Sequence, residues 1–145
     1  MNLHADVQRL ETLVAALMAR GHVTSVVQEL VENLPDDGVA YAIASVPVNS
    51  PHPILVVTTF MVKDNVLDRV MVARQRAVLN GNVVTPVLVS NANEFQITQG
   101  GFANPPALTQ ALSGDGLSLE ARATNPIAGN LVDIEVTMEM QVSQA

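Results

Sequence analysis

The sequence predicts a mainly β protein, an antiparallel β-sandwich with jelly-roll character, preceded by a short helical segment of one or two helices. Three observations support this prediction. Apolar residues near the N-terminus recur with a helical period, whereas from Val39 onward they follow the period of two that is typical of strands. Val is abundant, which favours strands, and because aromatic residues make up only 3% of the chain, Val, Leu, Ile, Ala and Met must fill the core. Short turn signals built from Gly, Asn and Pro separate the apolar runs.

The 145 residues are the length of one domain, and 48% of them are hydrophobic, so the chain can build a core and we expect an ordered fold. We expect a single domain over residues 1–145. Within it, residues 1–35 are predicted to be helical and residues 39–145 to form the β-sandwich body.

The first helix is predicted from Asn2, a good capping residue, to about Arg20, with Gly21 after its end. Its apolar residues are spaced four, three, four and three apart, which is a heptad stripe with Val at a and Leu at d. These residues are Leu3, Val7, Leu10, Val14 and Leu17. The stripe packs either on the sheet of its own chain or on a neighbouring chain or larger assembly, and it is the best partner signal in the sequence.

A second short helix is predicted after Ser25, which begins a capping-box pattern ending at Gln28. Val27, Leu30 and Leu34 then form its buried side, and Pro35 ends it.

Four strands are predicted in the first half of the body. They are residues 39–48, the continuous apolar run 54–62, residues 67–79 and residues 82–89. The run 54–62 is typical of a buried strand. A helix remains an alternative over residues 67–79, although Asn80-Gly81 favours a strand because Asn-Gly between Val-rich runs indicates a two-residue hairpin.

The second half continues with short segments. Residues 91–93 are predicted to be a turn, residues 94–98 a strand, and residues 108–112 either one helical turn or a strand edge. Gln99-Gly100-Gly101 indicates backbone with positive φ. Asp115-Gly116 predicts a tight turn before an alternating strand at 117–123, and the last segment alternates strictly from Leu131 to Val142.

Composition excludes several functions. The formal net charge of −7 opposes binding to nucleic acid and to anionic membranes, and the scarcity of aromatic residues removes base-stacking platforms. There is no Cys, so disulfides and thiolate chemistry are absent, and Asp6 and Glu11 precede the apolar stretch 13–19, which argues against a signal peptide. No apolar run is long enough to span a bilayer.

Catalytic and metal-binding motifs are also missing from the sequence. His4, His22 and His52 have no metal-ligand spacing, and there is no nucleophile elbow, phosphate loop or dinucleotide fingerprint. We therefore predict no catalytic residues, no metal, no cofactor and no enzyme.

A column of carboxylates is predicted on the final strand, from Asp133, Glu135 and Glu139. Alternate side chains on a straight strand are about 7 Å apart, too far to surround one Ca²⁺ ion. We expect these carboxylates to pair with the cluster of cations at 63–76, in particular Arg74 and Arg76, within a subunit or across an interface.

The stretch from Gly81 to Val142 resembles the small jelly-roll structural proteins of bacteriophage particles, such as capsid decoration, head-spike or minor capsid subunits. The segments that carry the resemblance are GNVVTPVLV, EFQITQGG, LSLEARATNP and AGNLVDIEVTMEMQV. The resemblance implies a virion location, an assembly role and homo-oligomers, either trimers or pentamers.

The expected function is that of a non-enzymatic structural or assembly subunit, which binds copies of itself and docks onto a larger protein assembly. The alternative is a small β-sandwich module that binds a ligand or a carbohydrate, although sugar sites usually stack on Trp or Tyr and the chain has one Tyr and no Trp. Without the virion resemblance, the expected location is the cytoplasm.

Overall fold

A computed structural model describes residues 3–19, 23–66, 68–99, 105–126, 128–129 and 131–143. These residues form one helix and eight strands, which are α1 Leu3–Ala19, β1 Val23–Val31, β2 Ala40–Pro47, β3 Ile54–Asp64, β4 Arg69–Leu79, β5 Leu88–Gln99, β6 Ala107–Leu112, β7 Ser118–Thr124 and β8 Val132–Val142. The prediction of an antiparallel β-sandwich with a short N-terminal helix is confirmed.

Two antiparallel sheets make up the sandwich. The five-stranded sheet has the order β1-β8-β3-β4-β5, and the three-stranded sheet has the order β2-β7-β6. β3 is the central strand of the larger sheet and pairs along its whole length with β4 on one side and β8 on the other. β3, β4 and β5 follow one another within the same sheet, so the middle of the chain is a meander.

The core lies between the two sheets and is built from alternate residues of their strands. β8 contributes Val132, Ile134, Val136 and Met138, all of which are fully buried, as the alternation in the sequence predicts. Phe60 of β3 is the largest fully buried side chain in the described part of the chain.

The predicted second helix is wrong, because residues 23–31 form β1 and pair with β8 at the edge of the larger sheet. Val27 and Val31 pack against the core from one face of β1, whereas Leu30 lies on the other face. Pairing with β8 therefore overrides the helical spacing of Val27, Leu30 and Leu34. Ser25, predicted to begin a capping box, lies at a register shift in β1.

The prediction that Asn80-Gly81 forms a two-residue hairpin turn is also wrong. β4 and β5 do form a hairpin, but residues 80–87 make the connection and β5 begins only at Leu88. The Asn82 side chain accepts hydrogen bonds from the backbone N–H groups of Val84 and Thr85, and Asn80 Oδ1 accepts one from Val87 N–H, each at 2.9 Å. These bonds hold an ordered loop in place of a tight turn.

Three other segments whose structure was predicted lie in strands. Residues 69–79 form a strand, as preferred, and residues 108–112 lie within the edge strand β6. The predicted turn at residues 91–93 is wrong because these residues continue β5. Gly100, Gly101, Gly21 and His22 lie outside the described residues.

Two aspartates stabilise tight turns by accepting hydrogen bonds. Asp115 accepts bonds from the Ser113 hydroxyl at 2.6 Å and from Leu117 N–H at 3.0 Å, and these bonds lower the pKa of its carboxyl below 3.8. Asp37 accepts a bond from the Tyr41 hydroxyl at 2.5 Å, which lowers the pKa of Asp37 and raises that of Tyr41. Gly116 follows Asp115 with a φ of 74°.

Candidate interaction surface

One face of the five-stranded sheet points away from the three-stranded sheet, and we call it the outer face. It carries the odd-numbered residues 55–63 of β3 and 133–141 of β8, the even-numbered residues 70–78 of β4 and 26–30 of β1, and Phe95 and Ile97 of β5. No described element packs over this face, whereas the opposite face is covered by β2, β7 and β6. The outer face is thus the broadest surface on which the described chain could bind a partner.

Apolar side chains interrupt the polar surface expected on a solvent-facing sheet. Met61 on β3 is 50% exposed, Ile97 on β5 is 62% exposed and Leu30 on β1 is 57% exposed. The register places these three residues at one level across the sheet, with Val72 and Glu135 between them. This row extends over all five strands.

A cationic cluster occupies the β4 side of the outer face. Arg76 and Arg74 both pair with Glu94 of β5, and the guanidinium carbon of Arg74 lies 5.5 Å from the centre of the Phe95 ring. A register shift between Arg74 and Gln75 makes this possible, because it inserts Glu94 as an extra residue beside Phe95. One carboxylate therefore serves two guanidinium groups, and the cluster keeps a net positive charge.

The carboxylates of β8 form the acidic half of the same face. Asp133 Oδ1 accepts a hydrogen bond from Asn33 N–H at 2.8 Å, and Glu135 Oε1 accepts one from the Gln28 side chain at 2.5 Å. Glu139 is exposed. Opposite charges are thus separated on the outer face, positive over β4 and negative over β8.

The five predicted site residues of the β body all lie on the outer face. Arg74 and Arg76 do not reach the β8 carboxylates of their own chain, however, because β3 lies between β4 and β8. Within the chain these arginines pair with Glu94, which the sequence analysis did not single out. Pairing across an interface stays a prediction.

The apolar part of this face was missed, although the sequence holds a signal for it. Residues 54–62 are apolar on both alternating faces apart from two threonines, a pattern that is typical of strands buried on both sides. In the structure only the inner side of β3 is covered.

The helix α1 does not pack against the sandwich over its described side chains. Residues 4–12 are all exposed, including Val7 and Leu10 of the predicted stripe. The side chains of Leu3, Val14 and Leu17 lie outside the described part. Val7 and Leu10, the stripe residues within the described part, therefore do not pack on the sheet of their own chain, which was one of the two expected arrangements.

Two small clefts open at the sides of the sandwich. One, of about 210 Å³, lies between β1 and β2 and is lined by Glu29, Ser45 and Glu120 among others. Glu120 is already paired with Arg122. The two carboxylates of this cleft, from Glu29 and Glu120, are therefore not arranged as a pair around one ligand.

The other cleft, of about 150 Å³, lies between β5 and β6 and is lined by amide side chains. Gln75 donates to the carbonyl of Leu108 at 2.8 Å, and Asn91 donates to the carbonyl of Gln110 at 2.9 Å. The buried Thr58 hydroxyl donates to the Gln110 side chain at 2.6 Å. These amides join the two sheets and satisfy the backbone of an edge strand, which is a structural role.

The described residues hold neither a cluster of metal ligands nor a membrane-spanning helix. Within the described ranges, no group of three or more His, Asp or Glu side chains is placed to hold a metal ion. His4 and His52 are exposed and belong to no such group. The helix in the described part of the chain is not long and apolar enough to cross a membrane.

Comparisons with known proteins show a similarity of fold to part of one phage tailspike. No protein-family model and no curated protein matches the chain. The tailspike protein of Acinetobacter baumannii phage AM24 is similar in structure, with a TM-score of 0.51 and 15% sequence identity over 90% of this chain. The match covers 28% of that tailspike, so this chain spans less than a third of its length. The tailspike of Acinetobacter phage vB_ApiP_P1 gives a TM-score of 0.42 at 13% identity, covering 81% of this chain and 22% of that one.

Proposed function

We propose that this chain is a structural protein of a bacteriophage particle that acts by binding copies of itself and by docking onto a larger protein assembly. The observation that carries the proposal is the outer face, a broad sheet surface with exposed apolar residues and separated charges. The fold similarity to part of a phage tailspike supports a virion context. A capsid-associated position is the finer form of this proposal and rests on the resemblance of residues 81–142.

The chemistry of the described side chains favours contact over catalysis. The charged residues of the outer face, such as Arg76 and Glu139, stand on an open surface where water screens them. Catalytic groups are normally held in a concave pocket that perturbs them. The amides of the β5–β6 cleft are occupied in joining the sheets.

The helix α1 offers a second contact surface. Val7 and Leu10 expose adjacent positions of a heptad stripe, and a helix of this length gains little stability alone in water. We propose that this stripe packs on a neighbouring chain. Trimers or pentamers are the assemblies that the resemblance implies.

The molar mass in solution tests the proposal, measured by sedimentation equilibrium over a wide concentration range. Self-association gives a mass that is a multiple of 15.4 kDa. If α1 contributes, Leu10→Lys lowers the association, whereas Gln8→Lys, on the opposite side of the same helix, leaves it unchanged. A strict monomer at high concentration would contradict the proposal and favour the ligand-binding alternative.

A further inference from the structure

The central strand of the larger sheet has a sequence suited to burial on both faces. The side chains of Leu55, Val57 and Met61 point to the outer face, although only the inner face of β3 is covered within the chain. Strands that are apolar on both faces occur where both faces are packed. No element in the described part of the chain covers the outer face, so its apolar residues lack the second layer that such strands normally have.

We propose that this covering layer is the outer face of a second copy, related by a two-fold axis that runs along β3. The inference rests on the proposed function and specifies the outer face as a two-fold contact that gives a dimer, separate from the α1 contact through which a trimer or pentamer would form. Two features support a second copy as the occupant: the rotation brings Arg76 of β4 against Glu139 of β8, and the face has the area of a stable dimer interface. The two Lys63 side chains meet at the axis, where each has Asp68 of its own chain 4.0 Å away as a counter-charge.

The charge complementarity follows from the register of the strands. A two-fold rotation about β3 places β4 of one copy over β8 of the other while keeping each level along the strands. Val57 pairs with Arg76 on one side and with Glu139 on the other, so these residues lie at the same level. Arg76 consequently faces the partner's Glu139, and the symmetry makes this contact twice.

The apolar residues match under the same rotation. Residues of β3 meet their own copies at the axis, so Met61 packs against the partner's Met61. At the edges of the sheet, Ile97 of β5 faces the partner's Leu30 of β1, because both lie at the level of Met61. Two strongly exposed apolar residues of the edge strands, Ile97 at 62% and Leu30 at 57%, thereby cover each other.

The area of the outer face is large enough for a specific contact. Five strands spaced about 4.8 Å apart are about 24 Å wide, and a strand of about eleven residues is about 36 Å long. The product is about 850 Å² on each copy, close to the approximately 800 Å² per partner that stable interfaces bury. Sheets of this kind pack face to face with their mean strand directions within about 30° of each other.

Charge reversal in the 145-residue chain tests the proposal, with the dimer dissociation constant measured by analytical ultracentrifugation. Arg76→Glu and Glu139→Arg each place two like-charged pairs in the interface and should raise that constant on the order of 100-fold. The double variant R76E/E139R restores both pairs and should return it to within about threefold of the wild type, an allowance for local repacking. Far-UV circular dichroism and thermal unfolding check that each variant is folded.

The matched control is R76E/E135R, which restores the same net charge but places the new arginine about 14 Å along the strand from the new glutamate. It should remain as weak as R76E alone. Equal rescue by both double variants would overturn the proposed register.

If the wild type associates but none of these reversals changes its mass, the two-fold contact is wrong and the proposed function stands. A wild type that stays monomeric contradicts both. If Arg76→Glu fails to fold because it leaves Glu94 without one of its partners, Glu139→Arg still probes the same contact from the other side.

Discussion

The loop between β4 and β5 depends on a glycine for two separable reasons, and a pair of substitutions measures each of them. Gly81 has a φ of 77°, and a Cβ atom built on it would lie 2.6 Å from the backbone of His52 and Pro53. Gly116 has a nearly equal φ of 74°, with nothing within 4 Å of such an atom. The two glycines therefore share the backbone conformation and differ in the space around it.

The expected costs follow from these two terms. An L residue in the left-handed region costs about 1–2 kcal/mol, and this term applies to both Gly81→Ala and Gly116→Ala. The reduced entropy of the unfolded chain offsets part of it, equally in both variants. Gly81→Ala must in addition displace the backbone at residues 52–53, and overpacking of this kind costs about 1–3 kcal/mol.

Equilibrium unfolding in urea, followed by far-UV circular dichroism, gives the free energy of unfolding of each variant. Gly81→Ala should lose about 1–3 kcal/mol more than Gly116→Ala, with an unchanged dependence on urea. Equal losses within about 0.5 kcal/mol would refute the close approach of residue 81 to the His52–Pro53 backbone.

Two further predictions concern aspartates at strand ends and in turns. The buried carboxylate of Asp64 pairs with Arg69 where the β3–β4 hairpin closes, so Asp64→Ala should lower the free energy of unfolding by about 3–5 kcal/mol. Removing Asp68 from its exposed pair with Lys63 should lower it by less than about 1 kcal/mol. Equal losses in the two variants would contradict the difference in burial. Asp115→Ala should lose stability relative to the wild type above pH 3.8, and this difference should disappear as the pH falls through the lowered pKa of Asp115, because a protonated carboxyl no longer favours the folded state. Thermal unfolding between pH 2 and pH 7 measures it, and a difference that grows on acidification would contradict the assigned sign.

Alternation in the sequence predicted the strands that have a buried face and two paired neighbours. β8 shows this best, since Val132, Ile134 and Val136 all point to the core. β1 and the start of β5 were missed because both are edge strands whose side chains are largely exposed, so their sequences carry little alternation. The polar pattern at Ser25 predicted a helix, but pairing with β8 makes this segment a strand. The Asn80-Gly81 pattern predicted a two-residue turn, but Gly81 packs against the backbone of residues 52–53 within a longer loop.

The sequence predicted which charged residues of β4 and β8 form a group on the outer face, but it did not predict their partner Glu94 or the strand that lies between them. Sequence spacing identified Arg74, Arg76 and the β8 carboxylates as a group, because charged residues that alternate with apolar ones must share a face. It could not identify Glu94 as their partner, since the bulge that brings Glu94 onto this face arises from the β4–β5 register. Nor could it place β3 between the two charged strands, which depends on the order of strands in the sheet.

The central claim, that copies of the chain associate through their outer faces, is tested most directly by cross-linking at Lys63. This is the one lysine in the sequence, and it lies on the outer face of β3, on the proposed two-fold axis. A short amine-reactive cross-linker should therefore yield a covalent dimer in which mass spectrometry identifies Lys63 joined to the partner's Lys63. An associated protein that forms cross-links only through its N-terminal amine, with none between the two lysines, would contradict the claim.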